Sequence, residues 1–176
     1  MPAQRFHIIL ATLVVSFSIA LPAGLRAQTP ACTLEQYRQF DFWIGNWRVE
    51  NPSGTVVGHN TIRRVNDCVL HESYTTPTGY SGESFNIYDR ARSVWHQSWV
   101  DNGGLLLQLD GGLEDSKMVL QGPGTAPNGG AVVHRITWSV VDGDAAHVRH
   151  LWETSTDDGA TWAVSFDGHY HREEIS

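Results

Sequence analysis

Tryptophan is the residue that most constrains this chain. Six of its seven tryptophans, Trp47, Trp95, Trp99, Trp138, Trp152 and Trp162, fall in short β-type runs. The seventh, Trp43, stands just ahead of Trp47 in Phe40-Asp41-Phe42-Trp43-Ile44-Gly45-Asn46-Trp47. Large rigid rings on nearly every strand need an interior to receive them. The sequence therefore predicts β-structure closed around an aromatic centre, which is either a packed core or a pocket.

Turn residues divide the chain into ten predicted strands: 44–50, 56–65, 68–76, 82–89, 94–100, 105–110, 117–121, 132–141, 147–154 and 161–172. Asn51-Pro52-Ser53-Gly54, Pro77-Thr78-Gly79, Asp101-Asn102-Gly103-Gly104 and Asp142-Gly143-Asp144 mark the sharpest reversals, because Asn, Asp and Gly reach positive φ cheaply. Gly122 to Gly130, rich in glycine and proline, reads as a long flexible loop. Many short strands joined by short turns predict an antiparallel meander. One helix is expected, Thr33 to Phe40, with Thr33 and Gln36 as a capping box and Leu34, Tyr37 and Phe40 on one side.

Residues 1–27 read as a secretory signal peptide: Arg5, an apolar run from Phe6 to Leu21, then Pro22, Gly24 and a small residue, Ala27, before a cut. The run is short for a span of about 20 residues, so no integral membrane segment is expected after cleavage. Residues 28–176 are sized as one domain. The leader carries two of the twelve basic residues and no acid, so 28–176 set ten basic against nineteen acidic residues, a net charge of −9. That balance argues against nucleic acid as a partner. Export to a periplasmic or extracellular space favours a Cys32–Cys68 disulfide, contributing on the order of 3 kcal/mol. The competing reading, a lipidated Cys32, would leave Cys68 a lone thiol.

Gly45-Asn46-Trp47, at the start of the first strand after a short helix, resembles the G-x-W signature of the calycin superfamily, the lipocalin-like barrels. The resemblance implies that Arg172, on the last strand, packs over Trp47 and closes the barrel's base. The wider block from Phe40 to Trp47, with Trp95-His96-Gln97-Ser98-Trp99-Val100-Asp101 and Val148-Arg149-His150-Leu151-Trp152-Glu153, resembles a bacterial family of exported lipocalin-like proteins of unknown function. The fold this implies is all-β: a roughly ten-stranded antiparallel lipocalin-like (calycin) barrel with a short N-terminal helix. The chain also resembles haem-binding nitrobindin barrels, but Arg48, Val49 and Glu50 follow Trp47 where that family has G-x-W-x-G-x-G. Ser155-Thr156-Asp157-Asp158-Gly159-Ala160-Thr161-Trp162 resembles an Asp-box, in which Asp157, Gly159 and Trp162 have structural roles in a turn.

Period-two alternation sorts strand residues onto faces without saying which face is inner. The preferred inner set is Glu72, Tyr74, Asn86, Tyr88, Trp95, Gln97, Trp99, Arg149 and Glu153, because aromatic walls with a few convergent polar groups suit a small molecule. Arg149 would grip a ligand carboxylate, and its loss should weaken an acidic ligand by roughly 2 kcal/mol; otherwise Arg149 and the glutamates form ion pairs on a solvated face. His169-x-His171 with His150 offers a possible metal set, and His150 or His169 a possible haem ligand. No P-loop, dinucleotide fingerprint or nucleophile elbow is present.

The expected function is binding of a small amphipathic, hydrophobic or aromatic ligand by a monomer or homodimer, with no cofactor. Three alternatives stay open: an enzyme using Glu72, Glu153 or His147 as acid or base, a haem or metal protein, and an interaction module with a filled core.

Overall fold

A computed structural model describes residues 32–126 and 128–174; the expected leader, 1–27, lies outside the described residues. Ten strands follow in order: β1 (Gly45–Glu50), β2 (Val56–Val65), β3 (Val69–Thr75), β4 (Ser81–Asp89), β5 (Val94–Asp101), β6 (Leu106–Glu114), β7 (Lys117–Thr125), β8 (Ala131–Val141), β9 (Asp144–Ser155) and β10 (Ala163–Glu173). Each pairs antiparallel with the next, and β10 closes onto β1 to make a barrel. Two-residue turns join β6 to β7 and β8 to β9. Asp115 and Ser116 (φ 46° and 65°), and Asp142 and Gly143 (φ 50° and 77°), take the positive φ that matches the strands' own twist.

The expected short N-terminal helix is present in 3-10 form. It forms two 3-10 turns, Glu35–Arg38 and Asp41–Trp43, and Leu34 stands at the cap position with no side-chain cap hydrogen bond. A 3-10 turn eclipses residues three apart, and here that alignment stacks Phe40 on Trp43 with ring centroids 4.9 Å apart. Both rings enter the barrel and are completely buried. They meet Trp95 and Trp138 edge-on or tilted, 5.1 to 5.7 Å away. Packing of this stopper, rather than helix propensity, sets the segment's conformation. Arg64 ties it to the barrel through Asp41. A disulfide between Cys32 and Cys68, whose Cα atoms lie 5.2 Å apart, does the same.

Strand closure places Trp47 opposite Arg172. The Arg172 guanidinium lies 4.3 Å from the Trp47 ring centroid and donates to the Ile44 carbonyl at 2.8 Å. The indole N–H of Trp47 donates to the Trp43 carbonyl at 2.9 Å, so the same ring joins wall and stopper.

The segment expected as a loop from Gly122 is strand as far as Thr125, paired with residues 131–134 of β8. Composition misled because Gly122 is there for proximity: a Cβ on it would strike the Gln108 backbone carbonyl. The Asp157 carboxylate accepts from the Thr161 amide (2.8 Å), the Thr161 hydroxyl (2.6 Å) and the Ser155 hydroxyl (2.7 Å), and Gly159 takes φ 89°. Those three donors hold its carboxyl down to about 2. Trp162 leaves this turn and lies under Arg135, 3.8 Å from its guanidinium carbon.

Candidate functional site

The stopper fills only one end of the cylinder. Toward the other end the inner residues enclose a cavity of about 340 Å3, at the small end of the range typical for ligand pockets. Trp99, Trp152, Phe166, Tyr74 and Tyr80 form aromatic walls, with Val57, Leu107 and Ile136 between them. Thr76 and Tyr80, at the β3–β4 turn, stand at the mouth. Glu72, Gln97, His150 and Tyr170 form the deeper, polar part. Gly82 makes room for the widest wall: a Cβ there would run into the Trp99 indole, so the ring packs close against bare β4 backbone.

A hydrogen-bonded chain of side chains from four adjacent strands supports the polar end. Asn60 donates to one Glu72 oxygen at 2.7 Å and the Ser84 hydroxyl to the other at 2.5 Å. The amide nitrogens of Asn86 (2.8 Å) and Gln97 (3.5 Å) in turn donate to Ser84. Glu72 is 2 % exposed, and among the described residues no Lys or Arg lines the cavity with it. Burial raises its carboxyl to about 7, against the opposing pull of the Ser84 and Asn60 hydrogen bonds. Burial also drives His150 down to about 3, so its imidazole is neutral. Its Nδ1 lies 3.0 Å from the Tyr170 hydroxyl. Tyr170 itself is pushed up by burial and by the Glu72 charge.

Glu72 has a direct consequence for stability. Its folded-state pKa lies above the ordinary 4.5, so the folded protein holds this proton while the unfolded chain has released it. Stability should therefore fall as pH rises from about 4.5 to 7, by roughly 3 kcal/mol at 1.36 kcal/mol per unit. Urea midpoints measured across that window should show the loss in the parent protein and a much flatter profile in Glu72→Gln. Parallel profiles would mean that Glu72 is solvated.

Of the nine expected inner residues, Glu72, Tyr74, Gln97 and Trp99 line the cavity together. Asn86 is buried behind them, bonded to Ser84 and to the Leu70 carbonyl. Tyr88 and Trp95 face the stoppered end: Tyr88 packs on Tyr37 at 5.5 Å, and the Trp95 indole donates to Gln39 at 3.1 Å. Arg149 and Glu153 require correction, because their strand face is the outer one. Arg149 makes a two-pronged pair with Asp167 (2.8 Å each), and Glu153 accepts from Arg135 at 2.9 and 3.2 Å. Arg149→Ala should leave ligand affinity unchanged and cost at most about 1 kcal/mol, as a half-exposed pair does; a titration of any cavity ligand against both proteins checks this.

Among the lining residues missed are His150 and Trp152 on β9, and Phe166 and Tyr170 on β10. A signal for them existed. Arg172 must face inward to cover Trp47, which puts Phe166 and Tyr170 inward by period two. The pairing of Tyr170 with Val148 then carries His150 and Trp152 inside.

The proposed histidine metal set is divided by the wall. His169 and His171 face outward beside His147, with His147 Nε2 3.0 Å from His169 Nδ1 and the His171 ring stacked on His147 at 4.4 Å, whereas His150 faces inward. Among the described residues no group of three or more potential ligands is arranged to hold a metal ion. His150, the other possible haem ligand, engages Tyr170 through Nδ1, and its Nε2 is buried without a partner.

No helix among the described residues is long and apolar enough to cross a membrane. The chain matches no protein-family model, and no curated protein is significantly similar to it.

Proposed function

We propose that this protein is an exported, calycin-type carrier that binds a small aromatic or amphipathic molecule inside its barrel. The observation that carries the reading is the 340 Å3 cavity with aromatic walls and a hydrogen-bonding end. Burying apolar ligand surface there contributes about 25 cal/mol per Å2, and the polar groups set orientation. The Arg172–Trp47 closure supports the calycin assignment, and the Cys32–Cys68 bond supports a periplasmic or extracellular location. The acidic ligand expected from Arg149 is replaced by a neutral or basic one, since the carboxyl of Glu72 faces the cavity with no Lys or Arg among the described residues lining it.

The test is titration with the uncharged fluorophore N-phenyl-1-naphthylamine. Saturable enhancement with one site per chain is expected, lost when Leu107→Trp fills the lumen. Equal enhancement in both proteins would place the dye on the surface and remove the reading.

A second reading, an enzyme using Glu72 as general acid or base, is favoured by one observation: a cavity carboxyl held near pH 7. Native mass spectrometry of protein purified from an exporting host separates the two. A carrier returns its bound compound unchanged after incubation, and an enzyme converts it.

A further inference from the structure

The polar end of the cavity has more acceptors than donors. Asn60, Ser84, Asn86 and Gln97 turn donors toward Glu72 or toward the serine that serves it, and Asn86 also donates to the Leu70 carbonyl. A carboxylate only accepts, so the Asn60 amide nitrogen faces it, while those of Asn86 and Gln97 face the Ser84 oxygen, and the three amide oxygens turn away. Asn60 Oδ1, Asn86 Oδ1 and Gln97 Oε1 are accordingly buried without a partner. Gln97 lines the cavity beside Glu72 and is 2 % exposed. A buried acceptor left unpaired is costly, and a ligand N–H donor in the cavity would satisfy the Gln97 amide oxygen. Above this cluster stand the faces of Trp99, Trp152 and Phe166, which attract both a flat ring and a cation. Among the described residues no Lys or Arg lines the cavity to repel a positive charge.

From this arrangement we infer that the ligand is a small aromatic amine, its ring held among Trp99, Trp152 and Phe166 and its ammonium donating to the Glu72 carboxylate and the Gln97 amide oxygen. The inference rests on the carrier reading and narrows it to one chemical class. The strongly acidic barrel would also draw a cation toward its mouth.

Binding is then coupled to one proton. The titratable groups near Glu72 are Tyr74 on its own strand and Tyr170 across the lumen, the latter bonded to His150. Burial keeps both phenols and the imidazole uncharged between pH 5 and 8. Glu72 alone changes charge there, because its carboxyl titrates at about 7. An ammonium favours the carboxylate, so at pH 6 each amine bound should expel a proton from Glu72.

Calorimetry with 2-phenylethylamine, its neutral counterpart 2-phenylethanol and the acid 3-phenylpropionate tests this. At pH 8 the amine should bind at least tenfold tighter than the alcohol, and the acid weakest. The preference should shrink severalfold at pH 5.5. Glu72→Gln should abolish the preference for amine over alcohol. In the parent protein, heats that depend on the ionisation enthalpy of the buffer at pH 6 report the proton release directly, so the answer does not depend on how the variant folds.

Equal binding of amine and alcohol, tighter binding of the acid, or no proton release would overturn the amine assignment. If N-phenyl-1-naphthylamine still binds in the lumen, the carrier reading survives that result. If neither the dye nor any of the three compounds binds, both fall.

Discussion

Trp138→Ala should destabilise the protein by about 3–5 kcal/mol, the usual cost of emptying a buried aromatic site. Trp138 is completely buried and lies at the meeting point of stopper and wall. Its ring centroid is 5.1 Å from Phe40, 5.3 Å from Trp43 and 4.9 Å from His150. Removing it strips contacts from all three and leaves a void that strands held by their neighbours cannot close. The indole N–H has no partner, so Trp138→Phe, which retains most of the ring and removes an unpaired donor, should cost far less, under about 1.5 kcal/mol. Urea unfolding of the two variants checks both values. A cost below about 1 kcal/mol for the alanine variant would mean that the barrel's base is loosely packed.

Breaking the disulfide is the second large effect. Cys32 and Cys68 are 36 residues apart in sequence. Chain-entropy reasoning gives about 3–4 kcal/mol for closing a loop of that length in the unfolded state. The bond also anchors the end of the stopper, so Cys32→Ser/Cys68→Ser should loosen the two 3-10 turns before the barrel. Protection of the Tyr37, Trp43 and Ile44 amides, which donate to Leu34, Phe40 and Asp41 carbonyls, should fall in hydrogen exchange ahead of that of the β-ladder. Uniform loss of protection would mean that stopper and barrel unfold as one unit.

The strand order, the turns and the closure of the sheet were legible because each rests on local chemistry: alternating apolar positions, and Asn, Asp and Gly where φ turns positive. The base was legible for a further reason, since Gly45, Trp47 and Arg172 can meet only if the first and last strands pair. The face of β9 was harder to read. His147, Arg149, Leu151 and Glu153 look as functional as Val148, His150, Trp152 and Thr154, and alternation is symmetric between them. Only the register carried across from Arg172 breaks that symmetry, by placing Arg149 outside against Asp167 and His150 inside against Tyr170. The Gly122–Thr125 strand was hidden because glycine composition resembles flexibility, whereas here it permits close approach to β6. The unpaired acceptors around Glu72 lie beyond any sequence pattern, since they depend on which way each amide turns once four strands meet.

The central claim is that this barrel is stoppered at one end and hollow at the other, with an aromatic lumen over a buried carboxyl. The most direct measurement is a crystal structure of the protein soaked in bromobenzene, read at the bromine absorption edge. The account predicts one ordered bromine inside the barrel, between Trp99 and Trp152 and above Glu72. A lumen without bromine, with those two rings packed against each other across it, would contradict the claim.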